Sequence, residues 1–308
     1  MPPILVSGLI NLEVTLRVER FPVEYFPVRY PFGGIGVTVS GVGFNVAKAL
    51  TGLGNEVPFL SLIGEDGVGG LARDAVLAAG VFDTHVLARL EQTPQSVILY
   101  DGEGRRQINV DLKDVQEQRY PADVARTALE GCTLAALCNV NFSRPLLKMA
   151  RAVGVPVATD VHAIADLEDP YDRDFMAGAE VLFMSHERLP CPAEEWARRV
   201  HARYGTAVIV VGLGAEGALL HVARKDVLER IPAAHTRPVV NTIGAGDALF
   251  SAFVDGFARG LDAREALRRA QLFASYKIGE VGASEGFLDA EGLERLAAGS
   301  APEASPPA

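Results

Sequence analysis

Residues 241–247, Asn-Thr-Ile-Gly-Ala-Gly-Asp, combine a glycine-rich turn with a single carboxylate. They stand between an extended segment at 238–240 and an apolar run at 248–254 that has the pattern of a helix. Small residues at a helix N-terminus let main-chain N–H groups surround an anion, and the helix dipole adds partial positive charge. Asp247 would repel that anion, yet it suits a general base for a hydroxyl that attacks a bound phosphoryl group. Residue types alone leave a second interpretation open, in which Asp247 caps the helix and the glycines only form a turn.

Three further polar side chains could contribute to such a site. Asn45 follows Gly41 and Gly43 at the start of a predicted helix, where it could bind a substrate hydroxyl or act as the N-cap. Glu13 lies on a predicted strand of alternating polar and apolar residues, where most proteins would have a solvated edge charge. Glu187 follows a predicted buried strand, at the carboxyl edge where open α/β sheets hold their ligands.

A second glycine cluster, at residues 212–217, matches the G-x-G-x-x-G spelling of a dinucleotide-binding loop. That fingerprint must open a helix, whereas residues 218–222 have the pattern of a strand. We therefore interpret Gly212, Gly214 and Gly217 as a turn between strands that could still face a nucleotide. A dinucleotide-dependent oxidoreductase is an alternative that requires a helix after Gly217. The sequence contains no P-loop spelling.

Composition limits the possible partners and compartments. The chain has 308 residues, which suits one large domain or a domain with an appendage. A net charge of −10 argues against nucleic acid or an anionic membrane surface as the main partner. No apolar run approaches the roughly 18 residues of a membrane span, and the N-terminus lacks a basic signal region. Three cysteines without a CxxC pair and six histidines without metal-ligand spacing predict a cytoplasmic protein with buried thiols.

The larger part of the chain has the pattern of an α/β protein. Between residues 121 and 211, strand and helix patterns alternate, which predicts a parallel sheet with helices on both faces. Earlier, a flexible loop at 64–70 precedes a predicted helix at Leu71–Ala79, and Phe82–Leu87 reads as a weaker strand. After Asp247, two helices are predicted, divided at Gly260.

A second, smaller sheet is predicted from the N-terminal third. Residues 11–19 alternate between polar and apolar types, residues 21–40 predict one or two exposed strands, and 96–110 has a hairpin pattern. Together they suggest an amphipathic sheet that projects from the core as a lid or an interface. The last residues, 297–308, are predicted to be disordered because of their Ala, Ser and Pro content.

The two glycine motifs resemble a pair of family signatures. Residues 41–47, Gly-Val-Gly-Phe-Asn-Val-Ala, and residues 241–247 are similar to the two signatures of the ribokinase (PfkB-type) family of sugar and nucleoside kinases. They occur in the expected order, and comparable family segments match the Gly8-x-x-Asn11-x-Glu13 stretch, the 64–67 loop and the 212–214 turn. The resemblance covers roughly residues 4–296.

The resemblance implies a fold, an activity and a set of site residues. It implies one three-layer α/β/α Rossmann-like domain over 1–296, with a mainly parallel central sheet and a small β-sheet lid inserted at about 12–40 and 96–112. Such lids often form dimer contacts, so a homodimer is expected. The implied reaction transfers the γ-phosphate of ATP, with Mg²⁺, to a hydroxymethyl group of a sugar or nucleoside.

Carried over by position, Asp247 would be the base, with the main-chain amides of Gly244, Ala245 and Gly246 as the anion hole. The implied substrate-binding residues are Asn11, Glu13, Gly41, Asn45 and Asn141. The implied nucleotide-binding residues are Thr242, Gly212, Gly214 and Gly217, and Glu187 would assist Mg²⁺ binding through water.

The departures from the family pattern limit what can be carried over. Asn241 stands where the signature usually has Asp, which removes a charge from the loop that in some members helps hold a monovalent cation, so K⁺ activation is not implied. Glu13 replaces a shorter Asp that binds substrate hydroxyls, and Asn141 replaces a sugar-binding Glu. Of the usual Asn-x-x-Glu motif, only Glu187 is present.

The substrate is left open by these departures. The Gly41-Val-Gly43 stretch, the Cys138-Asn139 pair and the Asn-initial signature are similar to pseudouridine kinase-like members. The reduced Asn-x-x-Glu motif also allows a different hypothesis, in which the protein is a catalytically weak relative that binds a nucleotide or metabolite as a regulator.

Overall fold

The computed structural model describes residues 3–299, which form two β-sheets and nine α-helices. The strands, in chain order, are β1 (Ile4–Ser7), β2 (Asn11–Arg17), β3 (Ile35–Ser40), β4 (Phe59–Gly64), β5 (Val86–Leu90), β6 (Gln95–Tyr100), β7 (Arg106–Asp111), β8 (Leu134–Leu137), β9 (Val157–Asp160), β10 (Val181–Ser185), β11 (Val208–Gly212), β12 (Ala218–Val222) and β13 (Val227–Ile231). The helices are α1 (Val42–Gly52), α2 (Gly67–Ala78), α3 (Ala122–Leu129), α4 (Arg144–Val153), α5 (Arg173–Gly178), α6 (Ala193–Tyr204), α7 (Ala245–Ala258), α8 (Ala263–Lys277) and α9 (Ala290–Gly299).

The central sheet has nine strands in the order β13-β12-β11-β10-β9-β8-β1-β4-β5. Its pairs from β11 to β5 are parallel, whereas β12 and β13 are antiparallel to their neighbours. The antiparallel edge has a local cause, because only the turn at 213–217 separates β11 from β12, and a parallel return needs a long crossover. The predicted fold class is confirmed, with a sheet that is mixed at one edge.

The sheet is covered on both faces, which gives two hydrophobic cores. Successive residues of a strand point to opposite faces, so Phe183 of β10 packs into one core and Leu182 into the other. The first core includes the apolar sides of α1, α7 and α8, and the second those of α3, α4 and α6. Because both faces are buried, these strands are nearly continuous apolar runs.

The smaller sheet has four strands in the order β3-β2-β6-β7, at the positions predicted for it. Only one strand, β3, forms within residues 21–40. The alternation in β2 has the opposite sense to that of a typical exposed strand. Its polar residues Asn11, Glu13 and Thr15 are buried, whereas Leu12, Val14 and Leu16 are only half-buried.

Several predicted boundaries were wrong for local reasons. Helix α2 begins at Gly67, inside the predicted loop, because the Asp66 carboxylate caps it by accepting from the Gly69 N–H at 2.8 Å. A short 3₁₀ turn at Asp83–His85 occupies the start of the strand predicted at Phe82–Leu87, so β5 begins later, at Val86. The 238–240 segment, predicted to be extended, belongs to neither sheet.

Three elements were not expected from the sequence: α5, β13 and α9. Helix α9 extends to Gly299, so the first three residues of the predicted disordered tail are helical, and the rest of that tail lies outside the described residues. Within residues 3–299, no helix has the length and apolarity needed to cross a lipid bilayer.

Helix α7 is anchored to the central sheet by aromatic packing, which leads to a stability prediction. Phe253 is fully buried, with its ring centroid 5.1 Å from that of Phe183 in β10. We expect Phe253→Ala to lower the free energy of unfolding by about 3–5 kcal/mol through lost burial and a cavity, as measured by urea denaturation. The matched control is Phe82→Ala, a side chain that is 71% exposed, and a similar loss in both variants would contradict the prediction.

Candidate active site

The 241–247 loop reaches α7 through a glycine that no other residue could replace without strain. Gly244 is the N-cap of α7 and has a φ of 75°, in the left-handed region that favours glycine. A Cβ at this position would lie 2.5 Å from the carbonyl oxygen of Ala283. The loop is therefore pressed against the segment that follows α8, and this contact fixes where the helix begins.

The start of α7 presents main-chain N–H groups that are not used inside the protein. Among residues 3–299, the amides of Gly244, Gly246 and Asp247 have no main-chain acceptor. The Ala245 amide differs from the prediction, because it donates to the Thr242 carbonyl at 3.2 Å. Unpaired N–H groups at a helix N-terminus, together with the helix dipole, form a ready anion site.

Asp247 is the third residue of α7, and its side chain does not cap the helix. Its Oδ2 accepts a hydrogen bond of 2.7 Å from the Nδ2 of Asn45. Asn45 lies within α1, whose N-cap is Gly41, so the capping interpretation is wrong for both residues. Because an ionised carboxylate only accepts hydrogen bonds, it is the Nδ2 of Asn45 that faces Asp247, and the Oδ1 lies 3.3 Å from the Ser40 hydroxyl.

Burial raises the pKa of Asp247 above its ordinary value of 3.8. The Asn45 hydrogen bond and the charges of His162 and Lys277 oppose this rise, and the neighbouring Asp160 adds to it. A carboxylate with a raised pKa is a better proton acceptor than a solvated one. The site therefore places a carboxylate of raised pKa beside a helix terminus with unpaired main-chain amides.

Glu13 belongs to the same cluster rather than to the solvent. It is only 5% exposed, and burial raises its pKa. The Ser40 hydrogen bond and Lys277 lower that pKa, and the charge of Asp247 raises it. Within the described part of the chain, its Oε1 is buried without a hydrogen-bond partner. Buried oxygens are usually paired, so this atom has an unused acceptor.

Of the other predicted substrate-binding residues, Gly41 and Asn11 lie near the cluster around Asp247, whereas Asn141 does not. Gly41 has a φ of 104°, and a Cβ there would lie 2.8 Å from the Asn11 Oδ1, so both border the cluster. The Asn11 amide already donates to Ser96 at 2.7 Å. Asn141 is engaged elsewhere: its Nδ2 donates to the Gln116 carbonyl at 2.9 Å, and Arg144 donates to its Oδ1 at 3.3 Å.

The Gly212–Gly217 segment connects two antiparallel strands, so the dinucleotide alternative is wrong. The turn is fixed by His186, whose Nδ1 lies 2.9 Å from the Gly212 carbonyl oxygen. Contact between this turn and a nucleotide stays a prediction. In the 241–247 loop, Thr242 accepts a hydrogen bond of 2.7 Å from Arg106 of β7.

Glu187 is exposed in a short turn directly after β10. Over residues 3–299, no group of three or more His, Cys, Asp or Glu side chains is assembled to hold a metal ion. A single exposed carboxylate fits an Mg²⁺ ion that is held mainly by nucleotide phosphates and water, which is the common arrangement in kinases.

Two charged residues of the site were missed by sequence reasoning. Asp160 ends β9, and its charge raises the pKa of Asp247. The argument that predicted Glu187, namely that residues at the carboxyl ends of parallel strands face the ligand site, also applies to Asp160. Lys277, at the end of α8, is completely buried beside the 241–247 loop. Lysine is common in the last turn of a helix, so the sequence contains no signal for this burial.

Comparison with known proteins identifies the family. The model of the pfkB family carbohydrate kinases matches residues 1–290. The chain belongs to this family. It is similar to the ribokinase of Arabidopsis thaliana, with 25% identity over 96% of this chain and 81% of that protein. It is also similar to the ATP-dependent ribose-1-phosphate kinase of Halopiger xanaduensis, with 26% identity over 92% of this chain and 94% of that protein.

The fold agrees with that assignment. The solved structure of the microbiome-derived acarbose kinase Mak1 superposes with a TM-score of 0.86 and 28% identity, covering 96% of this chain and 99% of that one. The predicted family is thus confirmed, and the protein is a carbohydrate or nucleoside kinase. The relatives carry different substrate names, so the family alone does not identify the acceptor.

The hydrogen bond from Asn45 predicts a shift in the pH dependence of turnover. Because this bond lowers the pKa of Asp247, we expect Asn45→Leu to move the acidic limb of the kcat profile to higher pH. The measurement is kcat against pH for both proteins. Asn55→Leu, which removes an equivalent hydrogen bond of 2.7 Å from an α1-side asparagine to Asp255 farther along α7, serves as the matched control. An unchanged acidic limb in Asn45→Leu would show that Asp247 does not control it.

Proposed function

We propose that this kinase transfers the γ-phosphate of ATP to a hydroxymethyl group of a sugar or nucleoside, with Asp247 as the general base. The observation that carries the proposal is the Asp247 carboxylate, held by Asn45 at 2.7 Å beside the unused amides of α7. The ATP-dependent name of the Halopiger relative supports the choice of phosphoryl donor.

In the proposed reaction, Asp247 accepts the proton of the attacking hydroxyl group. At the same time, the oxygen of that substrate hydroxyl forms a bond to the γ-phosphorus. The bond from that phosphorus to the bridging oxygen breaks, and ADP leaves. The amides of Gly244 and Gly246 stabilise the charge on the transferred group, with little contribution from Ala245. Such transfers depend on positioning and charge stabilisation. Mg²⁺ would neutralise phosphate charge, with Glu187 assisting through water.

The acceptor is proposed to bind against the inner face of the small sheet. The unused Oε1 of Glu13 is suited to a substrate hydroxyl. Asn45, whose amide is already occupied by Asp247 and Ser40, would border the acceptor while it holds Asp247 in place. Asn11 and Gly41 border that position. Asn141 supports the proposal least, because both ends of its amide have protein partners. The nucleotide would contact Thr242 and the turn at Gly212, Gly214 and Gly217.

The first test measures ADP release with a panel of sugars, sugar acids and nucleosides, pseudouridine among them. On any acceptor that is used, we expect Asp247→Asn to lower turnover by roughly 10²–10⁴, because the hydroxyl loses its base. ATP binding, measured by calorimetry, should change little.

The control for this test is Asp262→Asn, the same change at an exposed N-cap outside the site, which should keep its turnover. An Asp247→Asn enzyme with most of its turnover would refute the base assignment. A wild-type protein that binds ATP but releases no ADP with any acceptor would favour the regulator hypothesis instead.

We also propose a homodimer formed through the outer face of the small sheet. The register aligns Val14 with Val37 on β3 and with Val97 on β6, all on the side away from Glu13. Val37 is 59% exposed. Val14, Val37 and Val97 therefore form an apolar patch on this face, and an exposed apolar patch is typical of a protein interface.

A charge in this face should separate the subunits. We expect Val37→Lys to convert a dimer into a monomer of 32.8 kDa, as measured by light scattering after size-exclusion chromatography, because a buried unpaired charge opposes association. Val153→Lys, at a side chain with 61% exposure on α4, is the matched control. A wild-type monomer, or a Val37→Lys dimer, would contradict the proposal.

The thiols support a proposed location in the cytoplasm. Cys132, Cys138 and Cys191 are all free in the structure. Burial raises the pKa of the Cys132 thiol to about 11, so it is protonated and unreactive near neutral pH. Unpaired cysteines are typical of a reducing compartment.

A further inference from the structure

Lys277 is a fully buried cation at the end of α8, with 0% exposure. Lysine is almost never completely buried unless its charge has dedicated partners. Its Nζ donates hydrogen bonds to two main-chain carbonyl oxygens, those of Ile243 and, at 2.8 Å, Gly282. The role of Lys277 is therefore not limited to ending α8, because a helix C-terminus does not require a fully buried ammonium group.

The two carbonyls belong to the two segments that define the start of α7. Ile243 directly precedes Gly244, and Gly282 directly precedes Ala283, whose carbonyl presses on Gly244. Asn241 joins the same segments, because its Nδ2 donates to the Val281 carbonyl at 2.7 Å and its Oδ1 accepts from the Ile243 N–H at 3.0 Å. Lys277 is thus a second link between them, and it adds a positive charge.

That charge acts on the reacting groups. Burial lowers the pKa of Lys277 to about 8, while the carboxylates of Asp247, Glu13, Glu285 and Glu280 oppose the fall. The ammonium is therefore largely charged near neutral pH. Reciprocally, it lowers the pKa of Asp247 and of Glu13. A fixed cation behind an anion-binding helix terminus stabilises negative charge that develops there.

Carbonyl oxygens that replace water around a small cation are also the usual ligands of K⁺ in proteins. A free monovalent cation does not fit between the 241–247 loop and the 281–283 segment, because the Lys277 ammonium already holds their carbonyls. An aspartate at 241 could not donate to Val281, whereas the neutral Asn241 can. Asn241 and the Lys277 ammonium therefore hold the same two segments together without a bound cation.

We infer that Lys277 is a positioning residue whose ammonium group replaces a bound monovalent cation, so that phosphoryl transfer in this enzyme is independent of K⁺. The inference rests on the proposed function of the α7 terminus. It assigns Lys277 no contact with the substrate, and its effect passes through the carbonyls of Ile243 and Gly282.

The test compares wild type with Lys277→Ala in chloride salts of K⁺, NH₄⁺ and tetramethylammonium at equal ionic strength. Wild-type turnover should be the same in all three. In tetramethylammonium, Lys277→Ala should lose about 10²–10³ in kcat with little change in the acceptor KM. K⁺ or NH₄⁺ should raise the kcat of Lys277→Ala about tenfold or more, because the truncation leaves a cavity lined by the two carbonyls that either cation can occupy.

The control variant is Lys225→Ala, which removes an exposed lysine paired with Asp262 and should behave as wild type in every salt. A wild-type enzyme activated severalfold by K⁺ would overturn the inference. A Lys277→Ala enzyme with undiminished turnover, or one that neither small cation restores, would also overturn it.

Thermal unfolding without substrate separates this inference from the proposed function. The melting temperature of Lys277→Ala should be higher in K⁺ or NH₄⁺ than in tetramethylammonium, whereas wild type should show no difference. If wild type proves inactive with every acceptor, this measurement decides alone, and equal melting temperatures of the variant in the three salts refute the inference.

A second variant covers the case in which Lys277→Ala does not fold. Lys277→Met keeps the length of the side chain without its charge. Wild-type kcat should fall as pH rises through about 8, because the ammonium loses its proton. In Lys277→Met that alkaline limb should be absent and the remaining turnover low. The same limb in both proteins would refute the inference.

Discussion

The hydrogen bond between Asn45 and Asp247 is the contact on which the site depends. It joins two helices that are separated by 202 residues in sequence but pack side by side on one face of the sheet. Each helix begins at a glycine with positive φ, and each glycine is pressed against main chain that no Cβ could approach. The position of the Asp247 carboxylate is therefore fixed by main-chain contacts at the starts of both helices.

Two carboxylates, Glu13 and Asp247, share this region with one ammonium, Lys277, and burial shifts the pKa of each toward the neutral form. Such a cluster is unfavourable for stability unless its charges are compensated. The apolar packing of α7, with Phe250 and Phe253 against Phe183, provides the rigid support that holds the cluster together. The cost of burying these charges is thus offset by an ordinary hydrophobic core.

The sequence was a good guide wherever a pattern is local. Periodicity correctly predicted the alternating strands and helices between residues 121 and 211 and the strand at 218–222, and the two glycine motifs correctly indicated the family. It failed where long-range contacts decide. The burial of Glu13 and Lys277 depends on segments that lie far away in the chain. The start of α2 at Gly67 depends on the Asp66 carboxylate, which is held by Thr93, 27 residues away, and whose cap outweighs the three glycines of the first turn. Alternation in β2 identified a strand but not which of its faces would be buried.

Strand β2 contributes its side chains alternately to two surfaces. Glu13 faces the cluster around Asp247, and its neighbours Leu12 and Val14 face outward on the opposite side of the same small sheet. A strand is too stiff to move one face without the other. If acceptor binding and dimer formation favour different positions of the sheet, the two equilibria are coupled. By linkage, dimer formation then changes the acceptor affinity by the same factor by which the acceptor changes the dimer affinity. Acceptor affinity would then vary with protein concentration.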